Sequence, residues 1–394
     1  MTRPNRAATA GGRAGFLREI CARVTLPAVL AATARDVSTF RTSRSTPGLV
    51  LWSSLLCLLA ASACRPKLQQ PAPASLPASA CEEQSRSATL AWLTASAPLA
   101  HIAMARAHSW LDKLTLDLQD LDRNGIPGKR KLAELLSAYV DLYETGSGAD
   151  RSAVRTRLDT LAAITNEPWY HNMDKVDDAT FKRDSTSYLR IALLMDRAGL
   201  DTTAYRKQIE RIHERLNQHM PARGHHQQMV FHNYYHHFGL KEPYALVEAS
   251  TVGVIPNRLS PYQLTQTQAY DLTHEVAARY EREDIPPRGA FLPADLVYLR
   301  WSLDRLTVRY LMADNRDLVS ELAFCMAYVG FTDLAVFREA ISALLQSQNP
   351  DGSWGSYQEA RATYGPRLDV AMYLHTTAMA VKALAVTFAN PASP

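Results

Sequence analysis

The chain has 394 residues, 47% apolar and 21% charged. Those values exclude a mainly disordered chain, a collagen-like repeat and a polytopic membrane protein. The formal charge of +4 divides unevenly: residues 1–63 hold eight Arg, no Lys and two acids, leaving 35 basic against 37 acidic residues in the rest. The basic character therefore belongs to the leader. The remainder lacks the excess of Lys and Arg that nucleic-acid binding needs, so no nucleic-acid partner is expected.

Residues 49–61 are apolar apart from two serines and follow Arg41 and Arg44. The run is too short to span a bilayer, which takes about 20 residues. A positive flank, a short apolar core and small residues after it make a secretory signal pattern. The core ends Leu59-Ala60-Ala61-Ser62-Ala63-Cys64. This resembles the bacterial lipoprotein cleavage box, with Ala61 where Leu is preferred. The resemblance implies that Cys64 becomes the lipid-carrying first residue, anchoring the protein to a membrane of the bacterial envelope. Plain secretion, or release into the periplasm, is the alternative. The residues ahead of the signal read as an overextended start. Residues 64–85, rich in Pro, Ala and Ser, have tether composition. The expected organisation is a leader over 1–63, a tether over 64–85 and one folded domain over 86–390.

Scarce glycine (17 residues, against a usual ~7%) leans toward helix, and helical periodicity dominates the domain. In chain order the apolar spacing predicts helices over 102–121, 129–143, 153–164, 187–198 and 204–218. The series continues over 266–280, 294–312, 318–329, 334–346 and 370–388. Breaks fall at Gly or Pro, as at Asn124-Gly125-Ile126-Pro127 and Asn349-Pro350-Asp351-Gly352. No run alternates like a strand. Short connections predict an all-α array of antiparallel hairpins, either open or closed into a ring.

One stretch argues for closure. Gln348-Asn-Pro-Asp-Gly352-Ser-Trp354 reads Q-x-x-x-G-x-W just after a helix. Its physics is a staple: an aromatic over a Gly turn, with an amide satisfying helix-terminal groups. The string resembles the repeat motif of the α/α toroid superfamily of terpenoid cyclases and protein prenyltransferase β subunits. Tyr373-Leu-His375-Thr376-Thr377 resembles the prenyltransferase segment whose His ligates zinc. Over 262–388 the chain is also similar to an uncharacterised bacterial toroid family with Asp-Leu-Thr-His-Glu and Asp-Leu-x-x-Glu segments. The resemblance implies an α/α toroid, complete or incomplete. The prenyltransferase site also needs a Cys two residues after its Asp. Here Asp317 is followed at that position by Val319, so a thiolate site is not expected.

The candidate site residues fall in three groups. Asp271, His274 and Glu275 lie three and four apart and share a helix face. Asp317 and Glu321 are again four apart, and His375 is the third group. As successive toroid hairpins they would converge on a cavity. There Asp271, His274, Asp317, Glu321 and His375 would suit one divalent metal such as zinc or iron. Equally, His274, Glu275, Glu321 and His375 would suit metal-free acid–base catalysis. A solvated helix face and a satisfied buried imidazole form the bland alternative. His225-His226 and His232/His236 read as surface or cavity-rim residues or as part of the same site. Asp120-Leu-Asp122-Arg-Asn124-Gly125 resembles half a calcium loop, but Lys131 stands where the closing carboxylate belongs. Cys325 is expected to pack as a small buried hydrophobe, although an oxidising compartment permits a disulfide with Cys81.

No Asp-x-Asp-Asp, Asp-Asp-x-x-Asp, Walker, Gly-x-Ser-x-Gly or dinucleotide fingerprint is present. Terpene cyclisation is therefore disfavoured despite the fold resemblance. Two functional classes follow. One is an exported enzyme performing hydrolysis or elimination on a glycan or peptide-like substrate. The other is a non-catalytic envelope lipoprotein that binds a ligand or protein partner in the same cavity.

Overall fold

The structure is a computed structural model and describes residues 80–114, 128–146, 148–165, 167–243, 249, 251–280, 287–355 and 373–388. All of them fall in one unit, Ser75–Pro394. The leader, Cys64 and the half calcium loop at 120–125 lie outside the described residues. Among the described residues, regular structure is entirely helical, with twelve α-helices. These are α1 (Ala80–Leu111), α2 (Gly128–Thr145), α3 (Gly148–Thr165), α4 (Asp178–Arg197), α5 (Thr203–His219) and α6 (His225–Phe238). The rest are α7 (Val254–Asn257), α8 (Gln266–Tyr280), α9 (Pro293–Met312), α10 (Arg316–Val329), α11 (Ala335–Ser347) and α12 (Leu374–Phe388).

Local chemistry sets several ends. Asp177 caps α4 by accepting from Thr180 N at 2.9 Å, and Asn315 caps α10 by accepting from Leu318 N at 3.1 Å. Pro293 opens α9 at a position whose N–H needs no partner. α10 stops at Gly330, whose φ of 74° is left-handed. The predicted helices are present among the described residues, with differences of extent and two additions, α6 and the four-residue α7; the first helix ends at Leu111, and residues 115–121 of its predicted span lie outside the described residues. α1 begins at Ala80 and runs through Pro98, so helix starts within the expected tether; its Ala-rich composition outweighs the proline. α4 begins well before residue 187, because Asp177 supplies a cap. α6 is the His- and Tyr-rich stretch, whose aromatic composition gives no clear apolar stripe.

Even-numbered helices α2, α4, α6, α8, α10 and α12 touch one another in sequence, and α12 touches α2 again. The cycle is closed. Each remaining helix packs on at least one of these six, as α3 does on α2 and α9 on α10. The inner helices also run in the same direction. Groups from their N-terminal halves meet at one end of the cycle, including Glu134, Asp317 and His375. Groups from their C-terminal halves meet at the other. There Lys382 lies 3.7 Å from Asp141 and within 5.0 and 5.4 Å of the Tyr280 and Phe324 rings. Arg197 bridges to Glu144 at 2.6 Å. A buried ion pair caged by aromatics thus fills that end.

The staple joins the first helix to the last pair. Trp354 is fully buried and donates Nε1–H to Leu344 O at 2.8 Å, and its backbone N–H reaches Thr377 Oγ1 at 3.0 Å. Gln348 Nε2 donates to Ala103 O at 2.7 Å and to Gly352 O at 2.9 Å. The amide therefore grips a carbonyl inside α1 rather than a helix end. Gly352 has a φ of 102°, and a Cβ there would overlap the Arg106 carbonyl. α1 residues Ser87–Leu111 are long and apolar enough to cross a membrane by length and composition. In this fold Ala100, Ala107 and Leu111 are buried and the helix packs on α12, α11 and α2.

Candidate functional site

Glu134, Asp317, Glu321 and His375 converge where α2, α10 and α12 meet. His375 Nδ1 lies 3.0 Å from Glu134 Oε2, and Nε2 lies 3.2 Å from Glu321 Oε1 and 3.9 Å from Asp317 Oδ1. One oxygen or nitrogen from each of Asp317, Glu321 and His375 lies within 4.8 Å of the others, so the three form a possible acidic/His metal-binding triad. Three hydroxyls also donate to the two carboxylates. Tyr270 donates to Asp317 Oδ2 at 2.8 Å, Thr376 donates to Asp317 Oδ1 at 2.8 Å, and Thr273 donates to Glu321 Oε2.

Charges inside this cluster support one another. Burial pushes the Glu134 carboxyl up, but His375, Arg190 and Arg130 together hold it well below the usual range. The Glu134 charge raises the His375 imidazolium well above its ordinary value, against the effect of burial. Burial and the Asp317 charge push the Tyr270 phenol up, so it remains a donor. Cys325 is a buried free thiol whose Sγ lies 3.8 Å from Thr273 O, and it forms no disulfide. Burial raises its pKa further.

The first sequence group behaves differently. Glu275 is buried and accepts from the backbone N–H groups of Val254 and Ile255 at 2.6 and 3.0 Å. Its Oε1 also meets His225 Nε2 at 2.9 Å. Both oxygens are hydrogen-bonded, and Glu275 anchors the start of α7. A Cβ at Gly253 would overlap this carboxylate, which explains the glycine there. Asp271 and His274 are not among the three residues of that triad. They stand on α8 facing α6, where Asp271 Oδ1 lies 3.3 Å from His226 Nδ1. The His274 ring lies 5.2 Å from that of His226 and 6.2 Å from that of Tyr270. Sharing a helix did not suffice, because Glu275 lies about 100° around the helix from His274 and meets a different neighbour. His232 pairs with Glu242 and His237 with Asp196, outside this cluster.

Residues 87–385 match the family described as a domain of unknown function (DUF6895). The chain belongs to that family. The match takes in the inner helices of this DUF6895 protein, the last of them up to residue 385, together with His375, Glu134, Asp317 and Glu321. No curated protein and no solved structure matches the chain.

Sequence reasoning missed Glu134, Tyr270, Thr273 and Thr376. Glu134 stands out only once the structure shows Leu132–Leu142 buried on all sides. The three hydroxyl residues follow no spacing rule.

His226 gives this DUF6895 protein a pH dependence of stability. Burial, His274 and His225 push its imidazole down to about 4, with Asp271 opposing. The unfolded chain therefore binds the extra proton between pH ~6.5 and ~4, and stability falls as pH is lowered through that window. The loss attributable to His226 should approach about 2 kcal/mol. Urea melts at pH 7 and pH 4.5 should show a smaller difference in His226→Gln than in wild type.

Proposed function

We propose that this protein is an exported enzyme, tethered to the bacterial envelope through lipid on Cys64. In this reading its closed cycle of helices is an α/α toroid with the active site at the N-terminal mouth. A divalent metal, zinc or iron, is held by Asp317, Glu321 and His375. The reaction class is hydrolysis or elimination on a glycan or peptide-like substrate. The observation that carries the reading is the setting of His375. One ring nitrogen is held by buried Glu134 while the other faces two carboxylates. Histidine ligands are commonly fixed this way, with the far N–H on a carboxylate. The donor set of one imidazole and two carboxylates fits zinc or ferrous iron and leaves coordination positions open.

When bound, the ion supplies Lewis acidity and an activated water at neutral pH. Asp317 is oriented by Tyr270 and Thr376, and Glu321 by Thr273, so the carboxylates are presented rather than searching rotamers. Aromatic filling at the opposite end supports access from the mouth alone. The lipid anchor is supported by the signal pattern and the cysteine after it.

The second reading is a non-catalytic envelope lipoprotein that binds a ligand or partner. It draws on the same cluster, because a charged His375 between Glu134 and Glu321 is already a satisfied ion-pair network. Single Ala replacements at Glu321 and His375 separate the two. Variants that keep the wild-type melting temperature and lose cleavage across a glycan and peptide panel support the enzyme. Variants that only lose stability, with no cleavage by wild type, support the binding protein.

A further inference from the structure

The metal triad leaves the paired histidines at the start of α6 unexplained. His225 is engaged by Glu275, which is itself locked to the backbone of α7. His226 is set differently. Its Nδ1 lies 3.3 Å from Asp271 Oδ1, with the two side chains 25% and 24% exposed. Among the described residues nothing holds its Nε2. The carboxylate beside Nδ1 favours the Nδ1–H tautomer, which leaves the lone pair on Nε2. Burial and two neighbouring histidines keep the ring neutral at pH 7, against Asp271. It is therefore a neutral imidazole with a carboxylate beside its Nδ1.

Between His226 and the triad lie two rings. His274 is tilted by 45° to His226, and Tyr270 by 35° to His274. Tyr270 ends in the hydrogen bond to Asp317. The two side chains make a half-exposed floor linking His226 to the metal-binding carboxylates. Such a floor suits a substrate that presents a ring face, as a pyranose does.

We propose that His226, oriented by Asp271, is the proton-accepting catalytic residue of the ring mouth, acting on a substrate ring laid over His274 and Tyr270. This rests on the enzyme reading above. The proton leaves the substrate, or a water attacking it, and goes to His226 Nε2. Asp271 stabilises the imidazolium, which then returns the proton to the leaving group, so the charge of the protein is unchanged over the cycle.

The test uses the full chain and diethylpyrocarbonate, which modifies neutral imidazole nitrogen, at pH 6, with modification mapped by mass spectrometry. His226 should react faster than His225 and His375. Asp271→Asn should slow His226 by at least about tenfold, because orientation and tautomer are lost. Asp271→Glu should restore much of the rate. A His226 no faster than His225, or one indifferent to Asp271→Asn, would overturn the assignment. Metal content is measured on the same samples. Bound metal with an unreactive His226 sinks the base and leaves the metal enzyme standing, whereas a reactive, Asp271-dependent His226 without metal does the reverse.

Discussion

Trp354→Ala should destabilise the protein by about 4 kcal/mol, the cost of emptying a fully buried aromatic site. The indole is wholly enclosed and its N–H is spent on Leu344 O, so truncation leaves a cavity and removes a buried hydrogen bond. The position adds to the effect. Residues 348–354 tie α11 and α12 to α1, closing the cycle between its first and last hairpins. Gly352→Ala attacks the same closure without touching the core. Its φ of 102° is strained for alanine, and the new Cβ meets the Arg106 carbonyl. It should cost about 2–3 kcal/mol. Denaturant melts check both. Trp354→Phe, which keeps most of the volume and loses the N–H, should fall between wild type and Trp354→Ala.

Glu134→Gln should weaken metal binding by about 10- to 100-fold, although Glu134 is not a ligand. Its carboxylate holds His375 Nδ1 at 3.0 Å and so fixes the ring with Nε2 toward Glu321. An amide keeps the size and removes the charge. Titration of the metal-stripped protein with zinc, against a competing chelator, measures the change. Asp141→Asn, at the opposite end of the ring, should leave zinc affinity unaltered even if stability falls. Equal losses in the two variants would mean that the effect is general loosening.

The helices, their order and the staple were legible because each rests on short-range rules: apolar spacing, Gly and Pro breaks, and one aromatic over a turn. Asp317, Glu321 and His375 could be nominated because an i,i+4 acid pair and a lone His on apolar helices are conspicuous. What joins them was not legible. Glu134 looks like half of a surface pair with Arg130, four residues before it, and their separation is 3.6 Å. Only the burial of α2 on all sides turns it into a partner for a residue 241 positions away. Glu275 shows the converse error. It shares a helix with Asp271 and His274 yet faces a backbone turn, because the loop before α7 places two free N–H groups beside it. Sequence spacing gives the face of a helix, whereas the neighbour on that face is decided by how the cycle closes.

The most direct test of the account is the metal content of the protein purified without chelator and without a His tag. About one equivalent of zinc or iron is expected, retained in His226→Ala and lost in both His375→Ala and Glu321→Ala. Wild-type protein with no metal above background, which also fails to take up zinc when it is added, would contradict the metal centre at the mouth of the ring.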